Sequence, residues 1–374
     1  MKKLNAIIFF GVVGLGLPLC LSGCGSSGGS SAQAGFPPGS PTVIESLFIP
    51  NSGGSSTEGA SVDLSNAGLT NTGQVGAGTG PVFVKTHPNQ QFVYVANQVS
   101  GSVSAYAVAE FTGQLTGLSS SPYPTESTPV SLAIDPTGTF LYASGATAIT
   151  VFHINSDGSL TSLANQALGL PAATAASVMT QNASGTFLNV ATGNGAQAVV
   201  FTFAISPSSG LLTAVSNVTE TGLAFSGLAV SGNTVYAALE TSSTTGQLLP
   251  LAVNADGSLT AQTPTSLPQA PGEVVTTSSG SLYVASTSGI FAFTGAATGD
   301  LSPITGSPFA SGTPIQFLSL DRTQTLLYGS SPAQSQIYGF LIGSDGTLAT
   351  GASFTNGLAS PGHTDFWEIT VTGI

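Results

Sequence analysis

The hydrophobic residues of this chain fall into short runs separated by turn residues. Examples are the segments 93–95 (VYV), 151–154 (VFHI) and 290–293 (IFAF), in which β-branched and aromatic residues predominate. Such runs are typical of β-strands, and pairs such as Asp157-Gly158 supply the left-handed positions that tight hairpins need. No stretch carries a sustained 3.6-residue apolar period with helix caps, so the pattern predicts an all-β protein.

The short runs belong to a longer repeat. The segment 129–143, PVSLAIDPTGTFLYA, occurs in variant form seven times, beginning at residues 81, 129, 176, 225, 271, 314 and 361. A second motif, a turn followed by Gly-x-Leu-Thr or a close variant, also occurs seven times, for example at 158–161 (GSLT). A repeat of about 47 residues that holds four short strands has the content of one propeller blade.

The two ends of the chain complete each other. The last repeat has only its first strand, at roughly 363–372, whereas three strands precede the first full repeat, at 46–49, 60–63 and from residue 68 onward. Pairing of the last strand with the first hairpin leaves no free sheet edge. We therefore predict a seven-bladed β-propeller over residues 43–374, with four-stranded antiparallel blades, closed by pairing of the N- and C-terminal strands.

The two motifs together carry a family resemblance. The pattern Pro-x-x-(apolar)-x-x-(Asp/His)-Pro-x-Gly-x-Phe-Leu-Tyr-Ala, followed by Gly-x-Leu-Thr, resembles that of the lactonase family of seven-bladed β-propellers, the relatives of 6-phosphogluconolactonase. The resemblance extends over nearly all of residues 43–374. It implies lactone hydrolysis as one activity to consider, although a fold does not by itself imply a reaction.

The N-terminus has the pattern of an export signal. Lys2 and Lys3 precede an apolar segment at 6–19, and Leu21-Ser22-Gly23-Cys24 resembles the lipobox of bacterial lipoproteins. We predict a signal peptide at 1–23, lipidation of Cys24, and a flexible Gly/Ser/Pro tether at 24–42. The lipid would anchor the protein in the cell envelope, at the outer membrane facing the periplasm or at the cell surface. The alternative is an ordinary signal peptide in which the cysteine is incidental.

Charge narrows the choice of ligand. The chain has 16 acidic residues and four basic ones, a formal net charge of −12, and only Lys85 and Arg322 lie beyond the predicted signal. Nucleic-acid binding needs many more cations, so it is excluded. A phosphorylated sugar acid would require Arg or Lys contacts, and neither cation is expected at the channel mouth. An extracytoplasmic location also argues against 6-phosphogluconolactone, which leaves an unphosphorylated lactone.

Candidate site residues come from the third position of each leading motif. In a propeller the innermost strand lines the central channel, and its first residues lie near one mouth. In three consecutive blades this position holds Glu273, Gln316 and His363, which would converge; an extra residue in one repeat allows Phe317 to replace Gln316. A His–Glu pair suits a general base and its orienting partner for water attack on a lactone. The alternative is that these side chains only face solvent.

The family resemblance supports one of these residues. Members often have Pro-Arg-His at the leading motif, and Pro361-Gly362-His363 matches it with glycine in place of arginine.

No His, Cys or Asp cluster has zinc-ligand spacing, and the Asp-Gly turns lack the acids of a calcium loop. We therefore expect no metal or cofactor.

Three functions fit the sequence. The first, which we prefer at this point, is a monomeric surface propeller that binds a protein, a glycan or a small ligand. The second is a lactone hydrolase at the channel mouth, and the third is a structural role in the envelope.

Overall fold

The computed structural model of the chain describes residues 42–169, 178–182, 184–355 and 357–371. The predicted signal peptide, Cys24 and the predicted tether up to residue 41 lie outside the described residues, as does Ala176, the start of the third leading motif. The first described strand begins at Thr42, one residue before the predicted start of the propeller.

Strands make up nearly all the regular structure of the described residues, as the short hydrophobic runs predict. In chain order the first strands are β1 (Thr42–Asn51), β2 (Ser56–Asp63), β3 (Gly68–Gly76), β4 (Pro81–Thr86), β5 (Phe92–Asn97), β6 (Ser102–Val108), β7 (Leu115–Gly117), β8 (Tyr123–Pro124), β9 (Ser131–Ile134), β10 (Phe140–Ser144), β11 (Ala148–Ile154), β12 (Leu160–Ala167), β13 (Val178–Gln181), β14 (Phe187–Gly193), β15 (Gln197–Ile205) and β16 (Leu212–Thr221). The remaining strands are β17 (Ala224–Ser231), β18 (Thr234–Glu240), β19 (Gly246–Val253), β20 (Leu259–Ala261), β21 (Thr265–Leu267), β22 (Pro271–Thr276), β23 (Leu282–Ser286), β24 (Gly289–Thr294), β25 (Ser302–Pro303), β26 (Phe317–Leu320), β27 (Leu326–Ser331), β28 (Gln336–Ile342), β29 (Leu348–Phe354) and β30 (Asp365–Val371). A single 3₁₀ turn, Pro332–Gln334, is the one helical element in this part of the chain.

These strands form seven antiparallel sheets, which are the blades. Six blades follow the chain in order, and the seventh has the order β3-β2-β1-β30. Two blades gain a short fifth strand, because β8 also pairs with β6 and β21 also pairs with β19. The innermost strands β4, β9, β13, β17, β22, β26 and β30 each contact the next, and β30 contacts β4. The predicted seven-bladed propeller is therefore confirmed.

The ring closes through the chain ends. Strand β1 pairs antiparallel with β30, with Ser46 opposite Trp367 and Phe48 opposite Asp365. Phe48 and Trp367 are buried in the core cluster between this blade and the next. Burial of such large aromatic side chains stabilises the closure by several kcal/mol, at about 25 cal/mol per Å² of apolar surface.

The two sequence motifs meet between neighbouring blades. Tyr94, in a leading motif, donates its hydroxyl hydrogen to the Gly158 carbonyl in the hairpin turn of the following blade, at 2.9 Å. Tyr142 bonds to Gly210 and Tyr283 to Gly346 in the same way. Because a buried phenol needs a hydrogen-bond partner, the repeat fixes both the packing and the angle of successive blades.

No helix among the described residues is long and apolar enough to cross a membrane.

Candidate functional site

The first residues of the inner strands surround a cavity of about 490 Å³ at one mouth of the channel. We call it the mouth cavity, and it is lined by Ser52, Val82, Gln98, Val130, Val178, Ala224, Phe225, Ser226, Glu240, Gln316, Phe317, Pro332, Ser360, Pro361 and Gly362. Of this lining only Glu240 can carry a charge at neutral pH. The wall is otherwise made of apolar side chains and uncharged hydrogen-bonding groups, which is the usual composition of a small-molecule site.

Glu273 and His363 contact each other close to this cavity, although neither side chain is among those that line it. The His363 Nδ1 lies 3.0 Å from the Glu273 Oε2, and their side chains are 11% and 19% exposed, respectively. The Leu318 N–H donates to the same carboxyl oxygen at 2.9 Å. Gly362, the residue before His363, lines the mouth cavity. The structure thus brings together two of the three site residues that the sequence predicted.

A backbone irregularity positions the Glu273 side chain. The pairing of β22 with β23 slips between Pro271 and Val274, so a bulge carries Glu273. A bulge inserts an extra residue and redirects a side chain at a strand end. Burial of its carboxyl beside His363 follows from this local geometry.

Gly362 fixes the position of the histidine. A Cβ added at Gly362 would lie 2.1 Å from the Val82 carbonyl oxygen, so glycine is needed for the two backbones to approach. That approach allows the His363 N–H to donate to the Val82 carbonyl at 2.9 Å. The Phe83 ring then packs against the imidazole, with ring centroids 3.9 Å apart.

The backbone favours Phe317, the alternative to Gln316, at the third motif position of its blade. The Gln316 carbonyl accepts the Glu273 N–H at 3.0 Å, just as the Val82 carbonyl accepts the His363 N–H. Since Phe83 follows Val82 at the third motif position, Phe317 holds the equivalent position in its own blade. The Gln316 side chain is exposed at the mouth cavity and forms no hydrogen bond with Glu273 or His363 among the described contacts. The extra residue in this repeat is the reason.

Burial disfavours charge on both members of the Glu273–His363 pair. Desolvation raises the pKa of Glu273 to about 8, and it lowers the pKa of His363 to about 3. The hydrogen bond from Leu318 and the charge of Lys85 act against the rise in the pKa of Glu273, whereas Asp365 adds to it. The pair is therefore uncharged at neutral pH, and the carboxyl ionises as the pH rises past 8.

Lys85 and Asp365 form an ion pair next to these two residues. The Lys85 Nζ lies 3.2 Å from the Asp365 Oδ2, which also accepts the Thr86 N–H at 2.8 Å. Neither residue lines the mouth cavity, so Lys85 is not at the channel mouth, as expected from the sequence. Sequence reasoning nevertheless missed that Lys85 acts electrostatically on the Glu273–His363 pair.

Glu240 is a second residue that the sequence reasoning missed. It ends β18 and lines both the mouth cavity and an adjoining cavity of about 300 Å³. Burial raises the pKa of its carboxyl, which has no side-chain hydrogen bond to any described residue. The equivalent strand ends elsewhere hold uncharged polar residues such as Asn97, Ser144 and Ser286. A carboxylic acid among these otherwise uncharged strand ends is the signal by which the sequence could have identified Glu240.

Within the described ranges, no three His, Cys, Asp or Glu side chains lie close enough to hold a metal ion.

Comparison with known proteins bears directly on the family. Residues 50–172 match the family model described as "Lactonase, 7-bladed beta-propeller". The resemblance to the lactonase family is confirmed over these residues. Two curated relatives, the 6-phosphogluconolactonases of Pectobacterium carotovorum and Pectobacterium atrosepticum, are each 35% identical over 94 residues. That match covers 23% of this chain and 28% of each relative, so the chain matches under a third of their length.

Solved structures share the seven-bladed fold over a larger part of the chain. The periplasmic gluconolactonase of Pseudomonas aeruginosa superposes with a TM-score of 0.73 and 16% identity, covering 87% of this chain and 99% of that one. A protein from Lactobacillus plantarum gives a TM-score of 0.72 and 17% identity, with the same coverage. At these identities the comparisons establish the architecture alone.

Proposed function

We propose that this lactonase-family propeller hydrolyses an uncharged lactone at the channel mouth, with His363 as the general base and Glu273 as its orienting partner. The observation that carries the proposal is the 3.0 Å contact between the His363 Nδ1 and the Glu273 Oε2 beside the mouth cavity. A base held by a second group next to a cavity is the arrangement that water activation requires. The similar proteins include 6-phosphogluconolactonases and a gluconolactonase, which agrees with this class of reaction.

The reaction requires the ionised form of Glu273. Its carboxylate then accepts the Nδ1–H of His363, so the lone pair resides on Nε2, which has no hydrogen bond to any described residue. The negative charge of the carboxylate offsets the loss of basicity that burial causes in the imidazole. Nε2 then takes a proton from water while the water oxygen bonds to the lactone carbonyl carbon. When the tetrahedral intermediate collapses, the ring C–O bond breaks and the imidazolium returns its proton to the departing oxygen. One water is added and one hydroxy acid is formed.

The charge of the mouth supports a neutral substrate. Glu240 is the ionisable residue of the described lining, and both Lys85 and Arg322 lie elsewhere. A phosphate or carboxylate on the substrate would therefore meet no cation and would face an acidic side chain. An unphosphorylated lactone avoids both penalties.

The experiment is a comparison of the full chain with two variants on a panel of unphosphorylated lactones. We expect Glu273→Gln and His363→Ala to lower kcat/KM about a hundredfold or more, the usual contribution of a general base. His153→Ala is the matched control, because that imidazole, on β11, contacts Asn155 and lies in a different blade. Hydrolysis no faster than in buffer for every lactone, or wild-type rates in both variants, would contradict the proposal.

A binding role for a protein, glycan or small ligand is the second candidate. The packing of Phe83 against the imidazole favours it, since it leaves only 11% of the His363 side chain exposed. Ligand-dependent stabilisation without turnover of any lactone would select this function over hydrolysis.

We also propose that Cys24 carries a lipid that holds the propeller in the cell envelope. The support is the lipobox-like segment 21–24 after an apolar segment, together with the name of the P. aeruginosa protein, which is described as periplasmic. Mass spectrometry of the mature N-terminal peptide should find a diacylglyceryl group on Cys24. A mature chain with an unmodified thiol there, or release of equal amounts of wild-type and Cys24→Ala protein, would contradict the anchor.

A further inference from the structure

A second cavity opens from the channel mouth. It has a volume of about 300 Å³, and it shares Ser226, Glu240, Gln316, Phe317 and Pro332 with the mouth cavity. We call it the side cavity. Because the two cavities have these residues in common, a ligand that occupies one extends directly into the other.

Most of the remaining lining of the side cavity is apolar. It includes Ala270, Pro271, Pro314, Ile315 and Ala333, contributed by the segments at the start of β22 and β26 and by the turn after β27. Ser286 and Thr287 line the cavity too, but their hydroxyls already donate to the Gly289 carbonyl and to the Gln269 Oε1. Prolines have no N–H to donate, and these aliphatic side chains offer no hydrogen bonds at all. A hydroxyl group placed against these apolar side chains would lose its hydrogen bonds to water, and none of the apolar side chains would replace them.

We propose that the substrate is a lactone with an apolar substituent, its ring in the mouth cavity and its substituent in the side cavity. This inference rests on the proposed function and names the substrate class. A polyhydroxylated sugar lactone would place hydroxyls against Pro314 and Ile315, whereas an alkyl or aryl group matches that wall. Glu240 lines both cavities and stands where they join.

The test uses unsubstituted δ-valerolactone and the δ-lactones with progressively longer alkyl chains. We expect kcat/KM of the wild-type chain to rise about twofold to fourfold for each methylene that the side cavity takes up, and then to level off. Values that stay flat or fall with chain length would overturn the inference.

Two variants locate the effect. Ala270→Leu narrows the side cavity, and Ala333→Leu does so from an exposed position where the added side chain cannot disrupt the core. We expect both to reduce the chain-length advantage to less than about twofold overall. Ala255→Leu, in an exposed hairpin turn of another blade, is the matched control and should keep the wild-type profile. An undiminished advantage in both cavity variants would overturn the assignment of the substituent to the side cavity.

A separate measurement distinguishes this inference from the proposed function. If no lactone is hydrolysed, the proposed function fails, and binding of the corresponding alkyl δ-lactams is measured by calorimetry instead. Affinity that rises with chain length and is lost in Ala270→Leu and Ala333→Leu supports an apolar side site even then. Affinity independent of chain length overturns it.

Discussion

The Lys85 Nζ lies 3.2 Å from the Asp365 Oδ2, two residues further along the same two chain segments than the stacked rings of Phe83 and His363. The ion pair and the Glu273–His363 pair are thus neighbouring layers of one channel wall. The two charges act on Glu273 in opposite directions, since Lys85 lowers the pKa of its carboxyl and Asp365 raises it. Substitution of Lys85 or Asp365, which do not line the mouth cavity, should therefore change the pKa of Glu273.

The first prediction concerns the pH dependence of lactone hydrolysis. Burial raises the pKa of Glu273 to about 8, and the proposed base requires its ionised form. We expect kcat/KM to rise about tenfold for each pH unit below 8 and to reach a plateau above it. Spontaneous hydrolysis at each pH is subtracted as the control. A profile that falls through this range, or that is flat from pH 6 to 9, would mean that Glu273 does not act in this way.

The second prediction uses the ion pair. Lys85→Met removes the charge that lowers the pKa of Glu273, so the midpoint of the profile should move to higher pH. Asp365→Asn removes the opposing charge, and its midpoint should move to lower pH while the amide oxygen still accepts the Thr86 N–H. At pH 7 this predicts a change in kcat/KM of about threefold to tenfold, down in the first variant and up in the second. Equal shifts in the same direction would show general damage to the fold instead.

The third prediction concerns the closure of the ring. Glu45 on β1 lies opposite Glu368 on β30 and is only 2% exposed. Burial, with added repulsion from Asp321 and Glu368, raises the pKa of Glu45 to about 8. The folded-state pKa lies above the unfolded value of 4.5, so the stabilisation is complete below pH 4.5 and is lost as the pH rises to about 8.

Thermal unfolding from pH 5 to 9 measures this effect. Each pH unit in the window should remove up to about 1.4 kcal/mol of stability from the wild type through this group. Glu45→Gln should flatten the profile, although Glu273 contributes a slope of the same sign. Glu110→Gln, at an exposed position, is the matched control and should follow the wild type. If the profiles of wild type and Glu45→Gln run parallel, Glu45 does not govern the closure.

The repeat made the fold predictable from the sequence, because its two motifs encode the contacts between blades. Tyr94 bonds to Gly158 in the next blade, and these residue types recur at the same motif positions. The convergence of Glu273 and His363 followed from the same alignment. One extra residue in its repeat left Gln316 and Phe317 as alternatives for the third motif position, and the backbone bond from Glu273 to the Gln316 carbonyl favours Phe317.

Lys85 and Glu240 were missed for a different reason. Both lie outside the motif position that the sequence analysis followed, one further along an inner strand and the other at the end of a second strand. Their effect depends on distances between side chains of different blades. Such distances follow from the bulges and twist of the sheets, which repeat spacing does not specify.

The last prediction concerns the charge selectivity of the mouth. Glu240 borders both cavities. Burial raises the pKa of its carboxyl, which no described residue stabilises through a side-chain hydrogen bond. When ionised, it repels an anionic lactone in a partly desolvated site, where charge interactions exceed those in water. We expect Glu240→Gln to raise the kcat/KM for 6-phosphogluconolactone relative to that for δ-valerolactone by about tenfold at low ionic strength, and by less in 1 M salt because of screening. Glu110→Gln, an exposed change of the same charge, should leave the ratio where the wild type has it. A ratio that does not move in Glu240→Gln would show that the preference for neutral lactones arises from the lack of a cation alone.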